Sequence, residues 1–489
     1  MFRILIFLVL SLLMAGTAYS RYDALMGNDG IPDLGNHPSY LPYYPAMLLL
    51  VMVTLCPVLL TPFIGFARAA DITFSSYGGL FLHVSLYYLV LLALMPHLRD
   101  RISARTCAML WVIPNVLYLT TYSSFTPPRP WLIIPLPGHG WTLLLWVWLA
   151  GLVGVLAFHI VQHLRFRRRI LDPAVPATDP LTRYLWEEAL KEAGFRNPKY
   201  QLVISPEVKT PLSIGLLPRC TRVVLPTRSY TREELYWVIR HEVIHLARQD
   251  SWNKFFLLFC TAICWFNPLM WVAMKSCAQD LELSCDETVL LFAHQSQRKE
   301  YAALLLNTAG DARGFTTCLS ASAATLRRRL EQVLSPAARS SGAVVVGVLF
   351  FLAAITCGSV TLSYDTAPAA QVLYSAGDTA QYQVDGVHLS PPHAQVENTP
   401  YTLTDSQAFH DYLSGLSLSR LMGTYTLPEP DCSFFLEGPG NDFLIVISHQ
   451  VMEVTELGHD SYPTYYHISQ EVDWDYLLGL MEASPHSWT

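Results

Sequence analysis

Charged residues are scarce in this chain of 489 residues: they make up 15% of it, against roughly 25% in soluble globular proteins. Hydrophobic residues account for 52%, and the mean hydropathy is +0.30. A soluble domain of ordinary composition is therefore excluded. The composition is that of a membrane protein.

Apolar runs long enough to cross the hydrocarbon core of a bilayer occur before residue 164 and again near residue 350. Arginines cluster directly after the third long run and directly before the fourth, which places residues 165–340 in the cytoplasm by the positive-inside rule. The chain after residue 362 then lies outside. The predicted spans are 45–66, 78–96, 139–163 and 342–362, with shorter candidates at 2–19 and 107–122.

The path of the first 70 residues stays open. If the N-terminus starts inside, crossing by both 2–19 and 45–66 would leave residue 70 on the wrong side, so one of the two does not cross. The first segment has the length and ending of a signal peptide. Pro57 and Pro62 make the second a candidate for a bent or re-entrant segment.

Two histidines, His241 and His245, stand four residues apart in the sequence HEVIH. The segment is predicted to be helical, because Thr231 and Glu234 have the spacing of a capping box and no helix breaker follows. On a helix, this spacing projects both imidazoles from one face, where they can bind a single zinc ion. Glu242 could then take a proton from water at the metal. The alternative is a pair of surface histidines on an amphipathic helix.

A second segment, ELSCDE at 282–287, is also predicted to be helical and is rich in carboxylates. Catalytic zinc commonly has three protein ligands and leaves one position for water, and Glu282 fits the third place. Asp286 lies on the same helical face, where it could accept the ring N–H of a liganding histidine. Taken alone, this segment favours the alternative of an acidic, solvated helix face.

Together these segments resemble a known family. HEVIHLARQD, WFNPLMW at 265–271 and ELSCDE follow one another as in the BlaR/MecR-type family of bacterial integral-membrane zinc metallopeptidases, gluzincins that act as sensor-transducers. The stretches 210–218 and 223–226 resemble the strand pair ahead of that family's zinc helix, and 301–306 and 326–330 resemble its closing helices. The resemblance covers roughly residues 78–362.

The resemblance implies a zinc site and a location in the bacterial plasma membrane. His241, His245 and Glu282 are the implied ligands of Zn²⁺, Glu242 the general base and Asp286 the support of the ligands. The expected fold class is a multi-pass α-helical membrane protein. Its parts are N-terminal transmembrane helices at 1–164, a cytoplasmic, mostly α, gluzincin-like protease domain with a small β-sheet at 165–340, a transmembrane helix at 341–362, a linker at 363–380 and an extracytoplasmic α+β module at 381–489.

The apolar run 255–274 lies between the two zinc-binding segments. If it crossed the membrane, Glu282 would be on the opposite side from His241, so we expect a membrane-embedded or interfacial segment instead. Its neighbouring tryptophans, Trp252, Trp265 and Trp271, would suit headgroup depth.

The ten cysteines predict no disulfide framework, because six fall in or beside the region expected to be cytoplasmic and only Cys432 lies in the external part. Cys285 stands among the acidic positions. We expect a core thiol there rather than a zinc ligand.

The chain after residue 362 has no Ser-x-x-Lys motif. It therefore departs from the antibiotic-sensing relatives, whose larger penicillin-binding sensor is acylated there, and covalent sensing of a β-lactam is not expected. The acidic charge argues against nucleic acid or anionic lipid as a partner of this module, which we interpret as a sensor or partner-binding domain rather than a cap without a ligand. Its predicted strands are 380–384, 424–427, 433–436, 443–448 and 465–469, and its predicted helices are 405–416 and 473–482.

The expected function is that of a membrane-embedded zinc endopeptidase that transduces an external signal by cleaving a cytoplasmic repressor-like protein. It could also cleave itself near the arginines at 327–329. Strands at 202–205 or 212–217 are candidates to pair with an extended substrate. The expected partners are this protein or peptide substrate and membrane lipid, with a homodimer left open. The alternatives are a catalytically silent receptor that keeps the zinc fold as a scaffold, and a housekeeping membrane protease.

Overall fold

The fold is given by a computed structural model that describes most of the chain. The residues described are 2–26, 59, 61–63, 65–111, 113–116, 130–195, 199–216, 219–309, 323–334, 339–374, 379–390, 393, 400–423, 425, 427, 430–439, 441–458 and 463–483. They are mostly helical and include one large mixed sheet.

The helices are α1 (Phe2–Met26), α2 (Phe66–Leu98), α3 (Ala104–Leu110), α4 (Ile113–Val116), α5 (Leu144–Leu171), α6 (Pro180–Glu192), α7 (Arg232–Ala247), α8 (Asp250–Ile263), α9 (Pro268–Val289), α10 (Gln295–Ala309), α11 (Ala323–Leu334), α12 (Ala343–Thr356), α13 (Ala369–Leu373), α14 (Ser406–Ser414) and α15 (Trp474–Gly479). The strands are β1 (Leu132–Pro135), β2 (Val175–Pro176), β3 (Gln201–Ser205), β4 (Leu212–Ile214), β5 (Arg222–Pro226), β6 (Val360–Pro368), β7 (Gln383–Leu389), β8 (Pro400–Leu403), β9 (Ser417–Leu421), β10 (Cys432–Glu437), β11 (Asp442–Ser448), β12 (Val451–Leu457), β13 (Thr464–Ile468) and β14 (Met481–Ala483).

Two helices, α2 and α5, are long and apolar enough to cross a membrane, over Thr73–Leu98 and Leu144–Leu171. Shorter apolar stretches lie in α1 and α12, at Ile4–Ser20 and Ala343–Thr356. These four helices share one hydrophobic core with α3, α8 and α9. The outer face of α5 stays apolar and exposed, as at Phe158, and a surface of this kind requires cover by lipid or protein.

The predicted spans differ from these helices at several ends. α5 starts at Leu144 and continues through the arginine cluster to Leu171. The span predicted at 342–362 is shorter, because α12 ends at Thr356 and β6 begins at Val360. The segment at 107–122 is broken: α3 ends at Leu110, α4 is one turn long, and the residues that follow α4 lie outside the described part, as does most of 45–66.

α1 packs closely on α12. A Cβ atom added at Gly347 would lie 3.1 Å from the Cβ of Ala15 and 3.3 Å from the backbone oxygen of Ser11. Small residues at such a crossing let two apolar backbones approach each other, as is common between membrane helices.

The apolar run at 255–274 forms a helical hairpin of α8 and the start of α9 that turns back at Asn267, so it does not carry Glu282 away from His241. Trp265 at the tip donates from Nε1 to the backbone oxygen of Trp148 over 3.1 Å, near the start of α5. Trp252 lies near the other end of α8, with about 17 Å of helix between it and Ile263. The headgroup depth of the three tryptophans stays a prediction.

The small sheet has the order β2-β3-β5-β4, with β3 and β5 parallel and the outer strands antiparallel. β3 therefore lies inside the sheet, whereas β4 pairs only with β5 among the described strands. Helices α6, α7 and α10 cover the sheet and close a second core, which includes Val223, Ile239 and Tyr301.

The large sheet has the order β1-β6-β9-β13-β12-β11-β10-β7-β8-β14. The stretch 363–380, expected to be a linker, contains most of β6, all of α13 and a short 3₁₀ turn. The edge strand β1 comes from the N-terminal region and runs parallel to β6, with Leu132 opposite Val360. Strands β8, β9, β12 and β14 escaped sequence prediction. The helix predicted at 473–482 is shorter, because α15 ends at Gly479 and β14 begins at Met481. The strand predicted at 424–427 falls partly outside the described residues.

The large sheet and the HEVIH helix lie at opposite ends of α2. Near the start of α2, Ser75 Oγ donates to the backbone oxygen of Leu421 on β9 over 3.1 Å. At its other end, Arg99 pairs with Asp280 on α9. The length of α2 thus separates the large sheet from the candidate site.

Candidate metal centre

The HEVIH segment lies in α7, and the predicted capping box is confirmed. Thr231 Oγ1 accepts from the backbone N–H of Glu234 over 3.1 Å, and the Glu234 carboxylate accepts from the backbone N–H of Thr231 over 3.1 Å. The helix therefore starts at Arg232 and runs unbroken past His245. His241 and His245 project from the same face, one turn apart.

The structure brings both histidines together with Glu282 of α9. The two Nε2 atoms lie 3.0 Å apart. Glu282 Oε2 lies 3.9 Å from Nε2 of His241 and 3.5 Å from Nε2 of His245. Donors around a tetrahedral zinc ion lie roughly 3.3 Å apart, since each is about 2.0–2.1 Å from the metal. The three donor atoms therefore have the spacing of a zinc coordination sphere.

The hydrogen bonds on the far side of each ring test whether this donor set fits a metal. His245 Nδ1 lies 2.6 Å from Asp250 Oδ2, and His241 Nδ1 lies 2.9 Å from Tyr301 Oη. With the ring proton on Nδ1 in both cases, two Nε2 lone pairs face each other, and they repel unless a cation lies between them and the carboxylate. A divalent ion that prefers nitrogen and oxygen donors, such as zinc, fits this arrangement.

The second oxygen of Glu282 is also occupied: Lys254 Nζ lies 3.1 Å from Oε1. Burial opposes ionisation of Glu282, but the nearby Lys254 ammonium and His245 hold the pKa of this carboxyl well below its usual range. The carboxylate is therefore kept charged, as a metal ligand must be.

Glu242 is buried beside His241 and is held by the small sheet. Ser213 Oγ, on β4, donates to Glu242 Oε2 over 2.7 Å. The expected general base thus lies next to β4, one of the two edge strands of this sheet among the described residues.

Asp286 was expected to accept a hydrogen bond directly from a liganding histidine. It lies near His241 but does not contact it directly. Its Oδ1 is 3.6 Å from His241 Nδ1, beyond hydrogen-bonding distance. The Tyr301 hydroxyl lies between them and donates to Asp286 Oδ1 over 2.6 Å. Arg329 holds the same carboxylate through two hydrogen bonds, of 2.6 and 2.8 Å.

Sequence reasoning missed Asp250, the partner of His245. Gln249, with φ 55°, adopts the left-handed conformation between α7 and α8 and turns Asp250 back toward the zinc helix. Arg248 Nε lies 3.5 Å from Asp250 Oδ2. The only signal was the QD that ends HEVIHLARQD, and nothing in the residue types indicated the left-handed turn.

Cys285 is buried, as predicted for a core thiol, but it also borders the site. Its Sγ lies 3.7 Å from Nδ1 of His241, and ligating atoms of Cys285, His241 and His245 all lie within 4.8 Å of one another. Burial favours the neutral thiol, yet the adjacent imidazoles of His241 and His245 lower the pKa of Cys285 to about 7. The thiol is a further atom that could reach a soft metal.

The arginines at 327–329, where self-cleavage was expected, lie in α11. Arg329 is mostly buried against Asp286. A peptidase binds its substrate in an extended form, so cleavage here would require α11 to unwind first. Self-cleavage near these arginines stays a prediction.

Comparison with known proteins places this site in a wider context. Residues 137–333 match the family model described as BlaR1 peptidase M56. The chain is 25% identical over 229 residues to the regulatory protein BlaR1 of Bacillus licheniformis. The aligned residues make up 44% of this chain and 37% of that protein. This chain is 27% identical over 106 residues to the methicillin resistance mecR1 proteins of Staphylococcus aureus and Staphylococcus epidermidis, covering 21% of this chain and 18% of theirs. The matched parts are thus well under half of the length of these relatives.

Proposed function

Since the chain is a member of the BlaR/MecR-type family, we propose that it is a membrane-embedded, zinc-dependent endopeptidase that transduces a signal by cleaving a cytoplasmic repressor-like protein. The observation that supports this most directly is the convergence of His241, His245 and Glu282 beside the buried side chain of Glu242. Among the described residues, Glu242 forms no ion pair, and its carboxylate accepts a hydrogen bond from Ser213. A regulatory protein of the same family supports the signalling role.

The roles of the residues follow from this geometry. His241, His245 and Glu282 would hold the zinc ion. When bound, zinc would lower the pKa of water to about 7 and polarise the scissile carbonyl. Glu242 takes the proton of the attacking water and later passes it to the leaving amine. Ser213 fixes one oxygen of Glu242 and leaves the other to make these transfers.

The edge strand β4 is the proposed binding site of the substrate backbone. Of the two strands considered from the sequence, β3 is excluded, because β2 and β5 pair with both of its edges. β4 has one unpaired edge among the described strands, and Ser213 at its centre contacts Glu242. An extended peptide added there would lie over the general base.

We propose that the zinc domain faces the cytoplasm and the large sheet lies outside. α2 and α5 pass between the two, and the arginines of 165–169 lie at the end of α5 nearest the small sheet. This orientation places the site where a cytoplasmic repressor could reach it.

A catalytically silent receptor is the main alternative. It would need the fold but not the general base. The hydrogen bond between Ser213 and Glu242, in a buried position beside the ligands, favours the enzyme.

The test is to compare the full-length protein with Glu242→Gln. We expect about one zinc per chain in both proteins, because Glu242 is not a ligand in this proposal, and a rate of substrate cleavage about 10²–10⁴-fold lower in the variant. A matched control is Glu234→Gln on the same helix, which caps α7 and should leave the cleavage rate unchanged. Zinc binding with identical fragment patterns in wild type and Glu242→Gln would favour the receptor.

A further inference from the structure

We propose that Tyr301 and Arg329 are positioning residues that hold His241 in its metal-binding form through Asp286, so that docking of α11 sets the affinity for the metal. The inference rests on the proposed function, because it takes His241 to be a ligand. It gives a role to two residues to which the sequence analysis assigned none, and it links the site to a helix that contributes no ligand.

The first step is the direction of the hydrogen bonds. Arg329 contacts both oxygens of Asp286, from Nε over 2.6 Å and from Nη2 over 2.8 Å, so this carboxylate is paired as an anion and only accepts. Tyr301 must therefore donate its hydroxyl proton to Asp286 Oδ1, over 2.6 Å. The hydroxyl oxygen is then left to accept.

The second step concerns the imidazole. Tyr301 Oη lies 2.9 Å from His241 Nδ1, and since the oxygen accepts there, Nδ1 carries the ring proton. The lone pair of His241 is therefore on Nε2, the atom that faces His245 and Glu282. Partners of this kind fix the tautomer and ring orientation of a metal-binding histidine.

Burial holds the side chains of Tyr301 and Asp286 in place. Tyr301 is 1% exposed, and the Trp237 ring packs edge-on against its ring, with the centroids 5.8 Å apart. Asp286 is equally buried at 1% exposure. The hydroxyl cannot swing away without leaving a buried carboxylate with one partner fewer.

The last step places α11 in this chain of contacts. Arg329 is the residue of α11 that reaches Asp286, and Val333, one turn on, packs into the core around the zinc helix. If α11 moved away, Asp286 would lose the cation that holds both of its oxygens. The carboxylate that orients the Tyr301 proton would then no longer be fixed in place. Metal affinity is therefore expected to depend on a helix that does not touch the metal.

The experiment measures zinc affinity of the full-length protein in detergent by competition with chelators of graded strength. Tyr301→Phe removes only the hydroxyl and should weaken zinc binding about 10–100-fold, the usual effect of losing such a partner. Arg329→Met should weaken it by a similar factor. The double variant should bind zinc with the same affinity as the single variant that binds it more weakly, because both changes interrupt the same chain of contacts.

Arg327→Met is the matched control. Arg327 lies on the same helix, is 81% exposed at its side chain and pairs only with Glu331 in the contacts described, so its loss should leave zinc affinity within about twofold of wild type. If Arg329→Met does not fold, Arg329→Lys replaces it: it keeps the charge but not the paired geometry, and a weaker affinity than wild type is expected. The thermal unfolding of the metal-free proteins separates a structural effect from one on the metal.

Wild-type zinc affinity in Tyr301→Phe, or effects of the two single variants that add fully, would overturn the inference. These affinities are measured without reference to cleavage. A protein that binds zinc but cleaves nothing would therefore defeat the proposed peptidase, while the affinity series would still decide this inference. Failure of the wild type to bind zinc would overturn both.

Discussion

Asp280, two residues before Glu282 on α9, forms a bidentate ion pair with Arg99 at the end of α2, and both N–O distances are 2.9 Å. Trp111 donates to the same carboxylate from Nε1 over 2.8 Å. The helix that carries the proposed third ligand is thus fastened to a candidate membrane helix by a buried contact. Any movement of α2 along its axis would act on α9 close to the site.

Arg99→Gln would leave the Asp280 carboxylate, 1% exposed, without its cation. We expect a loss of about 3–5 kcal/mol in the free energy of unfolding, because an unpaired buried charge is left behind. Thermal or denaturant unfolding of the purified protein measures it. The control is Arg169→Gln, which breaks the exposed pair with Glu207 and should cost less than about 1 kcal/mol. Equal effects of the two changes would contradict the structural role of Asp280.

Gly151 of α5 contacts the tip of the helical hairpin. A Cβ atom there would lie 2.0 Å from Cε2 of Trp265, and an indole ring held by Trp148 cannot move aside cheaply. Gly151→Ala should therefore destabilise the protein by about 1–3 kcal/mol, measured by thermal unfolding.

Gly154, one turn further along α5, is the control for this change. A Cβ placed there would contact no atom of another described element within 4 Å, so Gly154→Ala should be neutral or stabilising by up to about 1 kcal/mol. Destabilisation of the same size at both positions would mean that the hairpin does not pack on α5 as described.

Ser213 provides a test of the site that leaves the ligands unchanged. Ser213→Ala removes the donor to Glu242 Oε2, and a hydrogen bond to a charged group contributes about 1.5–3 kcal/mol. We expect kcat/KM for substrate cleavage to fall by about tenfold or more while zinc content stays constant. Ser213→Thr retains the hydroxyl and should recover most of the rate. A normal rate in Ser213→Ala would show that Glu242 does not need this contact.

The parts of the site that lie within a single helix could be predicted from the sequence. The capping box at Thr231 and the spacing of His241 and His245 are local features, and they fix the face of α7. Glu282 could be proposed as the third ligand from its own segment, but only the family resemblance favoured a ligand over an acidic, solvated helix face. Its contact with the histidines depends on the hairpin turning back at Asn267, which composition alone left open.

The supporting contacts could not be predicted, because they join residues far apart in the chain or depend on unusual backbone. Asp250 reaches His245 only through the left-handed Gln249. Arg329 reaches Asp286 from 43 residues away. In the large sheet, β1 pairs with β6 across more than 200 residues of sequence. The composition of 363–380, rich in Ala, Asp and Thr, indicated a linker, but most of β6 and all of α13 lie there.

X-ray absorption at the zinc edge, on the purified full-length protein loaded with one equivalent of zinc, tests the central claim most directly. Coordination by His241, His245 and Glu282 predicts a first shell of nitrogen and oxygen at about 2.0–2.1 Å with the scattering pattern of two imidazoles. Glu282→Gln should change this shell, whereas Glu242→Gln should not. A sulfur atom at about 2.3 Å, which would place Cys285 on the metal, or a shell unchanged in Glu282→Gln, would contradict it.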